Sequence, residues 1–259
     1  MLLCQEKDKE EVFQYIGAKY GQCLYLYIDL LKYGIENENI KLWCQKEKGE
    51  IRVLVFQYYS GVHVFSSDRV FDVEDVAKLL RKIKPSLICG MKQTIQLIEP
   101  YMDNYQIEIG KVAELKQFKE FDDGNSYCAK EEELEELAAM LAEDEALGKP
   151  YGFELLYNQI KERYNEKFGR NYVYRDCGKI VATASTYAEQ GGAAVISGVM
   201  VAPEQRGKGL SKKVLSALCK ELLNENFRVF SYYYIESAMR MHKAVGFEEI
   251  GEWAKLIRD

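Results

Sequence analysis

The segment VMVAPEQRGKGLSKKVL, Val199 to Leu215, constrains the fold of this chain more than any other. An apolar run ends at Pro203. Arg206, Gly207, Lys208 and Gly209 then lead into a stretch whose apolar residues Leu210, Val214, Leu215, Leu218 and Leu222 recur at helical spacing. The pattern predicts a strand ending at Val201 and a helix starting near Gly209. The first N–H groups of such a helix have no partner within it, and the helix dipole places partial positive charge there. Glycines without a Cβ let a bulky anion approach the backbone, and Arg206 and Lys208 add charge. The junction reads either as a phosphate cradle or as a plain strand-to-helix turn made glycine-rich for geometry.

The two common nucleotide loops do not fit it. The spacing Gly-x-x-x-x-Gly-Lys-[Ser/Thr] is absent, and Gly207-Lys208-Gly209 is followed by Lys212 rather than by a third glycine. The loop also comes late in the chain, whereas a dinucleotide fold usually opens with it.

The remaining sequence alternates strands and helices. Residues 8–33 read as helical, 40–65 as strands around turns at Lys48-Gly49 and Ser60-Gly61, and 72–83 as a helix capped by Asp72. Segments 105–118, 171–188, 191–201, 227–235 and 247–257 have strand character, with a hairpin turn at residues 176–179. Residues 131–145 read as an acidic amphipathic helix, 152–168 as a second helix, and 236–245 as a short helix closed by Gly246. No repeat is visible. The polar FDDGNS segment, 121–126, is the best linker, so we expect one domain over 1–124 and another over 125–259. The fold class is α/β (α+β), with strands and helices mixed in both halves.

Composition narrows the function. Lys and Arg total 35 against 41 Asp and Glu, a net charge of −6, which argues against a general nucleic-acid binder. Seven scattered cysteines with no Cys-x-x-Cys pair suggest reduced thiols, and two histidines make a zinc site unexpected. Neither a signal core nor a membrane span is evident. The expectation is a cytoplasmic protein that binds no metal, membrane or nucleic acid.

At this point the sequence resembles the GNAT superfamily of acyl-CoA-dependent N-acyltransferases. Their signature, Arg/Gln-x-x-Gly-x-Gly/Ala after a strand, reads here Arg206-Gly207-Lys208-Gly209-Leu210-Ser211, with Ser211 in place of the last Gly or Ala. A second block, SAMRMHKAVGFEEIGEW, resembles the family's Asn-x-x-Ala-x-x-x-Tyr-x-x-x-Gly-Phe: Ala238, Gly246 and Phe247 match, while Ile235 replaces Asn and His242 replaces Tyr. The likeness covers about residues 125–259, and the length resembles a bacterial subgroup with an extra N-terminal α/β domain.

The resemblance implies a mostly antiparallel sheet flanked by helices, acetyl-CoA as acyl donor, and a small-molecule or peptide amine as acceptor, in a chain that can act as a homodimer. The pyrophosphate would rest on Arg206, Gly207, Lys208, Gly209, Leu210 and Ser211. The pantetheine arm would pair with Val199 and Val201, and a backbone N–H near Met200 would polarise the thioester carbonyl. Gly198 inside that strand suggests a bulge. His242 falls on the position of the family's tyrosine acid, and Tyr234, in the run Tyr232-Tyr233-Tyr234, can stand in for it. Glu189 is the candidate base, with Tyr187 beside it. Lys212 and Lys213 either meet the 3′-phosphate or form a solvated face. The alternative to an enzyme is an acyl-CoA-binding sensor or scaffold.

Overall fold

A computed structural model of the protein describes residues 1–144 and 152–259. They form two compact units: Met1–Val112 with Glu249–Asp259, and Ala113–Glu248. The expected division at 124/125 differs from this. The polar segment 121–126 lies inside the second unit, and the C-terminal residues from Glu249 count with the first. Of the expected acidic helix 131–145, Glu145 lies outside the described residues.

The first unit runs β1 (Leu2–Leu3), α1 (Lys9–Ile16), α2 (Leu24–Tyr33), β2 (Ile40–Glu47), β3 (Glu50–Tyr58), β4 (Gly61–Phe65), α3 (Val73–Ile83), β5 (Leu87–Met91), α4 (Lys92–Ile98) and β6 (Tyr105–Leu115). β1 to β4 pair antiparallel in sequence order, and β4 pairs β5 in parallel. Strand alternation sorts the apolar residues onto two faces. Leu54 and Phe65 join Leu26, Leu30 and Leu42 in one core; Val55 and Val64 join Leu80, Ile88 and Ile95 in the other. Asp72 caps α3 as the sequence predicts, its carboxylate accepting from the Asp75 N–H at 3.0 Å.

The second unit runs β7 (Ser126–Cys128), α5 (Leu134–Ala142), α6 (Gly152–Asn165), β8 (Asn171–Asp176), β9 (Lys179–Gln190), β10 (Ala193–Val201), α7 (Leu210–Asn224), β11 (Arg228–Tyr233) and α8 (Glu236–Val245); the strand that ends this second set, β12 (Phe247–Arg258), counts with the first unit from Glu249 on. β7 to β10 again pair antiparallel in order, and β10 again pairs β11 in parallel. α7 and α8 pack on one face of this sheet through Leu215, Leu218, Leu222 and Val245. α5 and α6 pack on the other through Leu137, Leu141 and Ile160.

The two lists have the same order, β-α-α-β-β-β-α-β-α-β, and the same pairing sense from β1 to β5 as from β7 to β11. The structure therefore holds an internal repeat where none is visible in the sequence. It also explains the division of the chain. The last strand of the second set, β12, pairs β5 of the first from Trp253↔Met91 to Ile257↔Leu87.

Candidate functional site

β10 carries an opening. One edge pairs β9 as far as Val201↔Ala182, but the other pairs β11 only from Ala193↔Arg228 to Ile196↔Ser231. Both strands run on past that point, to Val201 and Tyr233. The cause is local. Gly198 has φ +54°, and the β9 register slips between Ser197 and Met200, which is the expected bulge. A Cβ on Gly198 would lie 3.7 Å from the Ser185 side chain, an ordinary contact, so conformation rather than crowding calls for glycine there.

The bulge decides which groups face the opening. The Ala202 N–H donates to Val181 O on the β9 side at 2.9 Å. Alternation then turns the polar groups of Val201, and of Val199 two residues back, toward the unpaired edge. Met200 is turned toward β9, and its side chain is buried in the core with Leu137 and Ile160. This corrects the expectation for Met200: its own N–H does not serve the opening.

Beyond Val201 the chain makes a short 3-10 turn, Pro203–Gln205, and reaches α7 through Gly207 at φ +84° and Gly209 at φ +76°. Gly209 is the N-cap, and its carbonyl receives the N–H groups of Lys212 and Lys213 at 3.1 and 3.3 Å. The N–H groups of residues 207–211 donate to no acceptor among the described residues. Nothing lies within 4 Å of a Cβ built on Gly207. Leu210 is buried and anchors the helix start. The residues thus fit a phosphate group: five adjacent positions present open backbone at the positive end of a helix.

Charge surrounds this turn. The Arg206 guanidinium folds back, with Nε 3.2 Å from Val201 O and Nη2 3.6 Å from Asp144. The Lys208 ammonium donates to the Gln205 side chain. Lys213 pairs with Asp123, whose carboxyl it holds down at about 2. Lys212 places its Nζ 5.0 Å from the centre of the Phe121 ring. Of the two lysines considered for the 3′-phosphate, Lys213 is therefore engaged in a carboxylate pair.

The proton-transfer candidates fare differently. His242 is 3 % exposed, with Nε2 at 2.8 Å from Ser231 Oγ and Nδ1 at 2.8 Å from Ala238 O. Its ring stacks on Tyr233 at 5.3 Å and meets Phe247 edge-on at 5.0 Å. Burial pushes its pKa down to about 4. Both nitrogens are engaged inside the core, so the acid role expected for His242 gives way to a packing role. Glu189 is also corrected. Its carboxylate accepts from Arg170 Nε at 2.9 Å, Arg170 Nη2 at 2.6 Å and Thr186 Oγ1 at 2.6 Å. Arg170 in turn grips Glu225 at 2.6 Å, so Glu189 belongs to a clamp joining the end of β9 to the end of α7. Sequence reasoning missed Arg170, because a lone arginine ahead of a strand has no spacing that names its partners. Tyr234 is the first residue past β11, half-buried, and alternation puts it on the opposite face from buried Tyr233. Tyr187 is half-buried on β9. His63, expected to be structural, is buried against Trp253 at 5.0 Å, its pKa pushed down to about 3 by burial.

Fold and site together define an α/β protein with an open run of backbone N–H groups at a helix start beside an unpaired strand edge. The sequence profile of the acetyltransferase (GNAT) family matches residues 99–247, more than half of the chain, and the chain belongs to that family. The fold is similar to that of a GCN5-related N-acetyltransferase from Sphaerobacter thermophilus, at 17% identity and TM-score 0.67, covering 100% of this chain and 95% of that one. It is also similar to a GNAT-family acetyltransferase from Colwellia psychrerythraea, at 12% identity and TM-score 0.64, covering 99% and 98%. A GCN5-related N-acetyltransferase-like protein from Streptococcus suis aligns at 14% identity and TM-score 0.61, covering 98% and 99%. No curated protein matches the sequence. Among the described residues no helix is long and apolar enough to cross a membrane, and no group of three His, Cys, Asp or Glu side chains could hold a metal ion.

Proposed function

We propose that the chain is an acyl-CoA-dependent N-acyltransferase that moves acetyl from acetyl-CoA to a primary amine by direct attack in a ternary complex. The observation that carries this reading is the continuity of the unpaired β10 edge with the open N–H groups of residues 207–211. One extended ligand with a pyrophosphate at one end and amides along its arm matches both. Arg206, Gly207, Lys208, Gly209, Leu210 and Ser211 hold the pyrophosphate, and Val199 and Val201 pair with the arm as a neighbouring strand would.

Acetyl-CoA supplies an acetyl group activated as a thioester. The amine nitrogen bonds to the acetyl carbon, the carbon–sulfur bond breaks, the nitrogen loses one proton to water, and the departing thiolate gains one. The Val199 N–H, facing the opening, stabilises the charge that develops on the carbonyl oxygen. With His242 in the core, the thiolate's proton falls to Tyr234, at the end of the strand opposite the cradle edge. The clamp Arg170–Glu189–Glu225 keeps α7, and so the cradle, in register with β9.

Calorimetry with acetyl-CoA tests the first half: one site per chain is expected, and no heat at about 1 mM ligand overturns the proposal. Thiol release with a panel of amines tests the second. Tyr234→Phe should lower kcat by about 10-fold or more and leave acetyl-CoA affinity unchanged. One observation favours the sensor or scaffold reading, namely that the position of the family's tyrosine is a histidine locked in the core. Binding without thiol release for any amine would select it.

A further inference from the structure

We propose that the first unit carries a separate binding site for a small organic anion, at the ends of its own parallel strand pair. A cavity of about 320 Å³ opens there, lined among others by Lys19, Ser66, Arg69, Gln93, Thr94 and Glu252. Ser66 follows β4, and Gln93 and Thr94 begin the helix after β5. Crevices outside the carboxyl ends of parallel strands are where open sheets bind ligands.

Charge bookkeeping points to the sign of the ligand. Glu252 is neutralised by Lys92 at 2.9 Å and Lys111 at 3.2 Å. Asp68, the nearest acid in sequence to Arg69, lies 3.6 Å from Arg52 and accepts from the Val70 N–H. Arg69 and Lys19 make no ion pair among the described residues. Arg69 Nη1 donates to Gln93 Oε1 at 2.8 Å, and Lys19 Nζ donates to Ser67 O at 2.7 Å. The lining therefore keeps two uncompensated cations.

The geometry is built rather than incidental. Arg69 stands at φ +64°, a conformation that costs a non-glycine residue about 1 kcal/mol or more. Its N–H is held there by the Ser66 hydroxyl at 3.0 Å, itself buried and donating to Arg52 O at 2.8 Å. Thr94, 2 % exposed, adds a polar side chain to the wall. A cavity of this size, rich in hydroxyls and amides, suits a carboxylate or phosphate monoester bearing hydroxyl groups, and its volume falls at the lower end of small-ligand sites.

The site does not depend on acetyl-CoA binding, so the two proposals fail separately. The full chain is titrated by calorimetry with malate and, separately, with glycerol 3-phosphate, each to about 10 mM. Heat with malate alone identifies a carboxylate site, and heat with glycerol 3-phosphate alone a phosphate site. Lys19→Gln with Arg69→Gln should weaken that binding by about 10-fold or more and leave acetyl-CoA affinity unchanged. Both side chains are solvent-exposed, and an unchanged melting temperature verifies the fold. No heat with either probe, or equal heat in the double variant, overturns the proposal.

Discussion

At the end of β10 two glycines at positive φ leave a helix start open. At the end of β4, the same place in the same element order, the helix start is closed. No glycine lies between Phe65 and Val73. Asp72 takes the Asp75 N–H, and Glu74 and Asp75 add carboxylates to the first turn. The Asp75 carboxylate also receives the chain's amino terminus at 2.6 Å. A pyrophosphate at α7 would meet open N–H groups; at α3 it would meet fixed negative charge. The topology offers the same junction twice, and a few residues in the turn decide whether it can hold phosphate.

The largest expected effect concerns how the first unit is completed. Trp253 on β12 is 1 % exposed and packs with the N-terminal strands, although its sequence neighbours up to Glu248 belong to the second unit. Trp253→Ala should cost about 3–5 kcal/mol. Urea unfolding followed by the fluorescence of Trp43, the other tryptophan and also in the first unit, reads this directly. An unchanged midpoint would show that the first unit does not need the strand.

The units should also differ in their response to pH. Asp29 in α2 is buried, and burial pushes its pKa from 3.8 up to about 7. Between these values the folded chain holds a proton that the unfolded chain has lost, so Asp29 withdraws stability as pH rises. His63 works the other way in the same unit, so the comparison needs Asp29→Asn. The stability of that variant relative to the wild type should improve by up to about 4 kcal/mol from pH 4 to pH 8. In the second unit His242, pushed down from 6.5 to about 4, adds stability as pH rises through that interval, because there only the unfolded chain binds the proton. A pH-independent gap for Asp29→Asn would remove this contrast.

At the cradle itself, Gly209→Asp places a carboxylate on open backbone and a Cβ at φ +76°. Acetyl-CoA affinity should fall by about 100-fold, near 3 kcal/mol. Unchanged affinity by calorimetry would mean that the cradle has been assigned to the wrong turn.

Much of this contrast is legible in the sequence, because it rests on local chemistry. Asp72 as a cap, Gly246 at φ +110° after α8, and the Cys177-Gly178 hairpin turn are short-range signals that the structure follows. The repeat is not legible. It lives in the order and pairing of elements, which survive when every residue in a strand is exchanged for another of the same pattern. The return of β12 to β5 is a pairing across most of the chain and leaves no local mark. Motif position placed His242 on the correct helix but not on the correct side of it: α8 buries His242 and Val245, so the residue that aligns with the family's tyrosine turns into the core. Glu189 looked available because its partner Arg170 is nineteen positions away.

The smallest effect tests the closed junction. Asp72→Ala removes the carboxylate that accepts from Asp75 N–H, and loss of such a cap costs about 1 kcal/mol. The variant should unfold at slightly lower urea, read by tryptophan fluorescence in the first unit. It should still bind one acetyl-CoA per chain, because Glu74 and Asp75 keep the first turn of α3 negative and no glycine has been added. A second equivalent of bound acetyl-CoA would show that the cap alone had closed the junction, and that the turn's backbone, glycine or not, already had the shape of a cradle.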